Sequence, residues 1–243
     1  MLDGVRLGEK SSAACAVAAW GDHLYIAWTG TDLRLNVAWS PDARVITGKQ
    51  RLAERSYKMV SRSSGSDAGT TTESVPLAPA LAASGERLYL AWTGGNSALN
   101  VLAAQQPGRT APLTLKERSP NSPSLAAAEN GTLLLAWTGN DRHVNLLGLA
   151  GEVSGTPGAK TRFEAAKSGH SPAVCGHRGS LILAWTGTDR RINVLDVTHS
   201  PYGAPVRLDE ATSGSAPVLC SFQGSLILAW AGGDRRLNLA RLQ

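Results

Sequence analysis

Ala184-Trp185-Thr186-Gly187-Thr188-Asp189-Arg190-Arg191-Ile192-Asn193 is one copy of a ten-residue pattern. The pattern returns at 27–36, 91–100, 136–145 and 229–238, so the signature reads A-W-T-G-x-D-x-x-(L/I/V)-N. Its Trp residues are Trp28, Trp92, Trp137, Trp185 and Trp230, spaced by 64, 45, 48 and 45 residues. About 45 residues is the length of one four-stranded propeller blade. The first interval is longer because it holds a polar stretch near Ser56–Ser74, whose composition reads as a flexible loop or partly disordered insertion.

Outward from the signature, each unit shows four short segments. The first is small and apolar: Ala16–Ala19, Ala80–Ala83, Leu125–Ala128, Ala173–Cys175 and Pro217–Cys220. The second ends in the signature Trp, and the third holds the signature Asn. The fourth centres on Leu52, Leu115, Phe163 and Leu208. Short runs rich in Leu, Ile, Val and Trp, punctuated by Gly, Asn, Asp and Pro, read as strands and turns. The fifth unit has no fourth segment before Gln243. Val5-Arg6-Leu7-Gly8-Glu9 resembles Gln50-Arg51-Leu52-Ala53-Glu54 and Val206-Arg207-Leu208-Asp209-Glu210, so the N-terminus can supply it.

The expected fold is therefore all-β: a five-bladed β-propeller of four-stranded antiparallel blades, its ring closed by an N-terminal strand that completes the last blade. As a single domain over 1–243, it divides into blade one at about 11–55, an insertion at about 56–74, and blade two at about 75–118. Blade three follows at about 119–167, blade four at about 168–212, and blade five at about 213–243 plus 1–10.

Composition narrows the function classes. The 243 residues carry a net charge of +5 with no run of five like charges, so a basic nucleic-acid tail is not expected. No 18-residue apolar stretch exists, which argues against a helical membrane span. The first residues lack the apolar core of a signal peptide. Cys15, Cys175 and Cys220 form no C-x-x-C pair and read as small buried residues, and the five His show no metal spacing. No nucleotide-binding or nucleophile-elbow motif occurs, so no cofactor is expected. Glycoside hydrolysis needs two carboxyl groups about 5–10 Å apart. The inner segments, where propeller glycosidases place them, carry neither Asp nor Glu. No catalytic residue is assigned.

The repeated residues admit structural and binding roles together. Leu24, Ile26 and Trp28 share one face of a strand, Tyr25 and Ala27 the other, so Trp can fill the wedge between blades. An aromatic face also matches the C–H face of a pyranose. Gly30, Gly94, Gly139, Gly187 and Gly232 read as turn glycines that allow positive φ or a bulge. Asp32, Asn96, Asp141, Asp189 and Asp234 can cap the turn, and Asn36, Asn100, Asn145, Asn193 and Asn238 can bond back to it. The same groups, with the five signature Trp, are the candidate ligand-binding residues, because Asp and Asn offer acceptors and donors to sugar hydroxyls. Arg34, Arg142, Arg190, Arg191, Arg235 and Arg236 gather at the same turn and would make that rim basic.

Blade length, the ring of five and the Trp-containing strand resemble the tachylectin-2-like five-bladed propeller lectins. The signature is also similar to repeats in bacterial sialidase-like and fucose-lectin-like proteins. An Asp-box is hinted at only by Ser40-Pro41-Asp42-Ala43-Arg44. The resemblance implies a non-catalytic, multivalent carbohydrate-binding protein with one shallow site per blade, glycans or glycoconjugates as partners, and a monomeric ring. It favours an extracellular or secreted setting. A protein-interaction scaffold cut from a larger protein is the alternative, and a glycosidase the third reading.

Overall fold

A computed structural model describes residues 6–64, 68–104, 111–128, 131–149 and 158–242. Every element is a strand. Blade one is β1 (Ala16–Trp20), β2 (His23–Thr29), β3 (Arg34–Ser40) and β4 (Gly48–Arg55). A two-stranded ribbon follows, β5 (Tyr57–Ser64) and β6 (Ala68–Pro76). Blade two is β7 (Ala80–Ser84), β8 (Arg87–Thr93), β9 (Ala98–Ala104) and β10 (Leu113–Arg118). Blade three is β11 (Ser124–Ala127), β12 (Leu133–Thr138), β13 (His143–Leu149) and β14 (Lys160–Lys167). Blade four is β15 (Ala173–His177), β16 (Ser180–Thr186), β17 (Arg191–Asp196) and β18 (Val206–Thr212). Blade five holds β19 (Val218–Phe222), β20 (Ser225–Ala231) and β21 (Leu237–Leu242). Each sheet is an antiparallel meander, and the architecture is the expected five-bladed all-β propeller.

The two faces of each blade do different work. Tyr25, Ala27, Leu35 and Leu52 of blade one pack against Trp92, Leu88, Leu90 and Leu102 of blade two. The arrangement repeats toward Trp137 in blade three, Trp185 in blade four and Trp230 in blade five. So the signature Trp of blades two to five fills the wedge against the blade before it. Four such cores join the five blades in series; among the described residues none joins blade five to blade one.

The signature Thr adds a second link between blades. Thr29, Thr93, Thr138 and Thr186 each donate Oγ1–H, at 2.6–2.7 Å, to the carbonyl three residues before the next blade's inner strand. Those acceptors are Leu77, Asn121, His170 and Ser215. Blade five carries Ala231 at this place, so its junction is the one built without the hydroxyl.

One expectation is corrected. The stretch near Ser56–Ser74 is not a loop: β5 and β6 pair from Tyr57↔Pro76 onward, because Tyr57, Val60, Thr70, Thr71, Thr72 and Val75 are residue types that suit a pleated strand. Residues 65–67 lie outside the described residues. Among the described residues the last sheet has three paired strands, and residues 6–10 form no strand. The remaining residues of that expected outer strand, 1–5, lie outside the description.

Candidate functional site

The hairpin between the second and third strands is the repeated polar feature. In blade four, Arg190 N–H donates to Gly187 O (2.9 Å) and Gly187 N–H to Arg191 O (2.7 Å). That is a three-residue loop whose last residue takes the left-handed conformation. The left-handed residues are Leu33, Ser97, Arg142, Arg190 and Arg235, with φ of 64–66°. The expectation of positive φ at the signature glycines is thus corrected, since none of the five is a positive-φ position. Their role is close approach: a Cβ on Gly187 would meet Asp189 Oδ1 at 2.6 Å and Asn193 Nδ2 at 3.1 Å.

Those two side chains hold the turn. Asp189 Oδ1 accepts the Arg191 N–H at 3.0 Å, and Asn193 Nδ2 donates to Arg191 O at 3.1 Å. Asp32 with Asn36, Asn96 with Asn100, Asp141 with Asn145, and Asp234 with Asn238 make the same pair of bonds. One oxygen of each Asp and the amide NH2 of each Asn are therefore engaged by the backbone.

The second Asp oxygen is what the sequence reading left unassigned. It faces an arginine from the outer strand: Arg51 beside Asp32, Arg162 Nε 3.0 Å from Asp141, and Arg207 Nη1 3.6 Å from Asp189. Register explains the meeting. Trp28, Asn36 and Arg51 are directly opposite one another across β2, β3 and β4. Trp137–Asn145–Arg162 and Trp185–Asn193–Arg207 form the same rows. In the sequence these arginines lie 14–17 residues beyond the signature Asn, behind loops of unequal length. Only the recurring Arg-Leu or Arg-Phe dipeptide of the fourth segment marked them.

Blades two and five depart from the set. Blade two has Asn96, and Thr114 where the others have Arg; Thr114 Oγ1 donates to Asn100 Oδ1 at 2.7 Å. Tyr57, the first residue of the ribbon, also sits on this hairpin. In blade five, Asp234 faces only its neighbour Arg236, at 3.6 Å, among the described residues.

Charge at the rim is balanced but ordered. The Arg51 hydrogen bond holds the Asp32 carboxyl below the usual range; burial opposes this, and the Arg34 N–H adds to it. Burial pushes Asp141 up, but the His143 N–H and the charges of Arg162 and His143 outweigh it and leave its pKa lowered. Arg142, Arg190 and Arg235 are exposed and form no ion pair among the described residues. Holding a non-glycine residue in this conformation costs roughly 1–2 kcal/mol.

The five signature Trp do not line this rim. Trp28, Trp92, Trp137 and Trp185 are 1–5% exposed and Trp230 is half-buried; Trp92, Trp137, Trp185 and Trp230 pack in the inter-blade cores, and Trp28 lines a small cavity with Leu7. Lysines close two of the rings from above, Lys49 at 5.3 Å from Trp28 and Lys160 at 5.5 Å from Trp137. A separate groove of about 640 Å³ lies at the hairpins of the inner strands, lined by Trp20, Asp22, His23, Tyr25 and Glu86. Trp20 stands where other blades carry Ser84, His177 and Phe222, so the periodic reading passed over it.

No family model matches the chain, and no curated protein sequence matches it. Solved structures do. BP39L lectin from Burkholderia pseudomallei is 15% identical with a TM-score of 0.71, over 94% of this chain and 66% of that one. The chain thus spans slightly less than two thirds of that lectin. SapL1 lectin, solved with alpha methyl fucoside, is 13% identical with a TM-score of 0.65, over 97% of this chain and 78% of its own. The GH43 endo-arabinanase from Bacillus licheniformis is 14% identical with a TM-score of 0.50, over 97% and 94%. Another GH43 protein and a Trypanosoma rangeli sialidase share the fold as well. This is a five-bladed β-propeller whose structural neighbours include lectins and glycoside hydrolases. At these identities what is shared is the fold, and one fold hosts many functions.

Proposed function

We propose that this chain is a multivalent, non-catalytic carbohydrate-binding protein that uses the hairpin rim of its blades. One observation carries the reading: the Asp–Asn–Arg set recurs at the same register in blades one, three and four. A carboxylate oxygen beside a guanidinium offers an acceptor and donors side by side, which suits vicinal sugar hydroxyls. Single sites of this kind are weak, and several on one rigid face gain affinity by avidity. The lectin neighbours support the choice of ligand class. The signature Trp contribute by fixing the blade, because stacking a sugar on them would require the rings to leave the core.

The inner strands favour binding over hydrolysis. β1, β7, β11, β15 and β19 contain no Asp or Glu, so they offer none of the paired carboxyl groups that glycoside hydrolysis needs. A glycan array followed by calorimetric stoichiometry tests the proposal. Several equivalent sites for one sugar class are expected. Silence across a broad array sinks it, and turnover of a chromogenic glycoside that is lost with one carboxylate would favour the hydrolase reading.

A further inference from the structure

The inner hairpins of blades one and two stand apart, where those of the three junctions that follow are in contact. Between blades two and three, Ser84 Oγ donates to Gly131 O at 3.0 Å. Between blades three and four, a Cβ on Gly176 would fall 2.4 Å from Ala127 O. Between blades four and five, His177 Nδ1 and Ser221 Oγ are 2.9 Å apart, and a Cβ on Gly224 would meet Arg178 Nη2 at 2.9 Å. The turn glycines of blades one and two, Gly21 and Gly85, instead face open space, with nothing within 4 Å of either Cβ position. The groove of about 640 Å³ occupies this gap. Trp20 borders it from the register position that Ser84 holds in blade two.

Its walls join an aromatic surface to carboxylates that nothing neutralises. The Tyr25 ring stands between Trp20 and Trp39, with centroids 5.5 and 6.1 Å away, and His23 lies 6.4 Å from it. The Trp20 and Tyr25 planes meet at 53°, so the two rings form a corner rather than a stack. Tyr25 is 6% exposed, and its hydroxyl has no hydrogen-bond partner among the described residues. A nearly buried hydroxyl left unpaired in a cavity wall is a place for a polar atom of a ligand. Asp22 and Glu86, one from each hairpin, are exposed and form neither an ion pair nor a hydrogen bond among the described residues. On the rest of the chain, Asp32, Asp141, Asp189, Glu9 and Glu117 each face an Arg or Lys. None of the described residues lining the groove is Lys or Arg, although the chain carries a net charge of +5.

We propose that this groove binds an organic cation, an ammonium group with carbon substituents, held by Trp20 and Tyr25 as aromatic walls and by Asp22 and Glu86 as counter-charges. A cation over an aromatic face is attracted by the ring quadrupole, most strongly on Trp. The carbon substituents take the ring faces, and the positive charge meets the carboxylates. A neutral ligand would leave both carboxylates uncompensated, and an anion would be repelled by them. The site is unrepeated, because blades two, four and five carry Ser84, His177 and Phe222 at the Trp20 position. It sits at the His23 end of β2, whereas the rim hairpin follows Thr29 at the other end. The proposal is therefore independent of the carbohydrate reading.

Calorimetry on the full chain tests it with two matched pairs of probes. Choline is compared with its uncharged isostere, in which a tert-butyl group replaces the trimethylammonium. Glucosamine is compared with N-acetylglucosamine, which keeps the ring and removes the charge. The cation of at least one pair is expected to bind at one site per chain, about tenfold or more tighter than its neutral counterpart. Preference for choline marks a quaternary ammonium as the ligand, and preference for glucosamine an amino sugar. Equal affinity within both pairs, or binding by neither cation, overturns the proposal. Asp22→Asn and Glu86→Gln, both at exposed positions, are each expected to weaken the cation by about fivefold to tenfold. Trp20→Leu, which keeps apolar bulk, is expected to weaken it by about fivefold or more. Thermal unfolding checks that the variants fold, and if Trp20→Leu does not, the two carboxylate variants decide. Cation binding that both of them leave untouched lies elsewhere and overturns the assignment. Silence of the glycan array would sink the rim reading and leave this result standing.

Discussion

Tyr57 lies on Gly95 so closely that a Cβ at position 95 would fall 2.2 Å from the ring. The equivalent residues of blades one, three and four are Thr31, Asn140 and Thr188, all exposed. The base of the ribbon therefore rests on the hairpin of blade two, which is also the blade without the Asp and Arg of its neighbours. Gly95→Thr is expected to displace Tyr57 and destabilise the protein by about 1–3 kcal/mol, the range for overpacking. Adding Tyr57→Ala to it is expected to recover much of the loss. Urea unfolding and limited proteolysis of the ribbon check both variants.

The signature Thr is expected to matter through its hydroxyl. Thr186 is buried and donates to Ser215 O across the junction of blades four and five. Thr186→Val keeps the shape and leaves that carbonyl short of a donor, at a cost of about 1–3 kcal/mol. Thr→Val at blade three, at Thr138, is expected to cost the same. Ala231→Thr is expected to change little, because no core joins blade five to blade one among the described residues. Thermal unfolding of the three variants ranks them.

Acid should weaken the rim turns in a defined direction. The folded pKa values of Asp32 and Asp141 are depressed, so their contribution is complete above the unfolded aspartate value and is lost as pH falls through the lower folded value. The pH dependence of the urea midpoint below the ordinary carboxylate range is expected to flatten in Asp141→Asn, which cannot titrate but keeps the turn acceptor. An unchanged slope would remove Asp141 from the acid response.

The arginines of the outer strands separate binding from stability. Arg51→Ala, Arg162→Ala and Arg207→Ala are each expected to remove one sugar site and to change stability by less than about 1 kcal/mol, since these ion pairs are largely exposed. Trp137→Ala is the opposite case. Its ring is nearly inaccessible in the core between blades two and three, and its loss is expected to cost about 3–5 kcal/mol. Calorimetry with the sugar found on the array, run beside denaturant titrations, distinguishes the two groups.

The sequence by itself determined the blade count, the strand order and the register of the hairpin. One pattern repeated five times fixes the local spacing of Trp, Gly, Asp and Asn, and hairpin chemistry acts over a few residues. It also marked Val5-Arg6-Leu7 as a fourth-segment copy. Other features were decided only by tertiary structure. The rings of Trp92, Trp137 and Trp185 belong to the wedge between blades, because burial depends on the neighbouring sheet and not on the strand that carries the ring. The partners of Asp32, Asp141 and Asp189 are Arg51, Arg162 and Arg207, which loops of variable length separate from the signature and antiparallel pairing brings back to it. The ribbon's place on Gly95 likewise arises from contact between distant segments, which a local pattern does not encode.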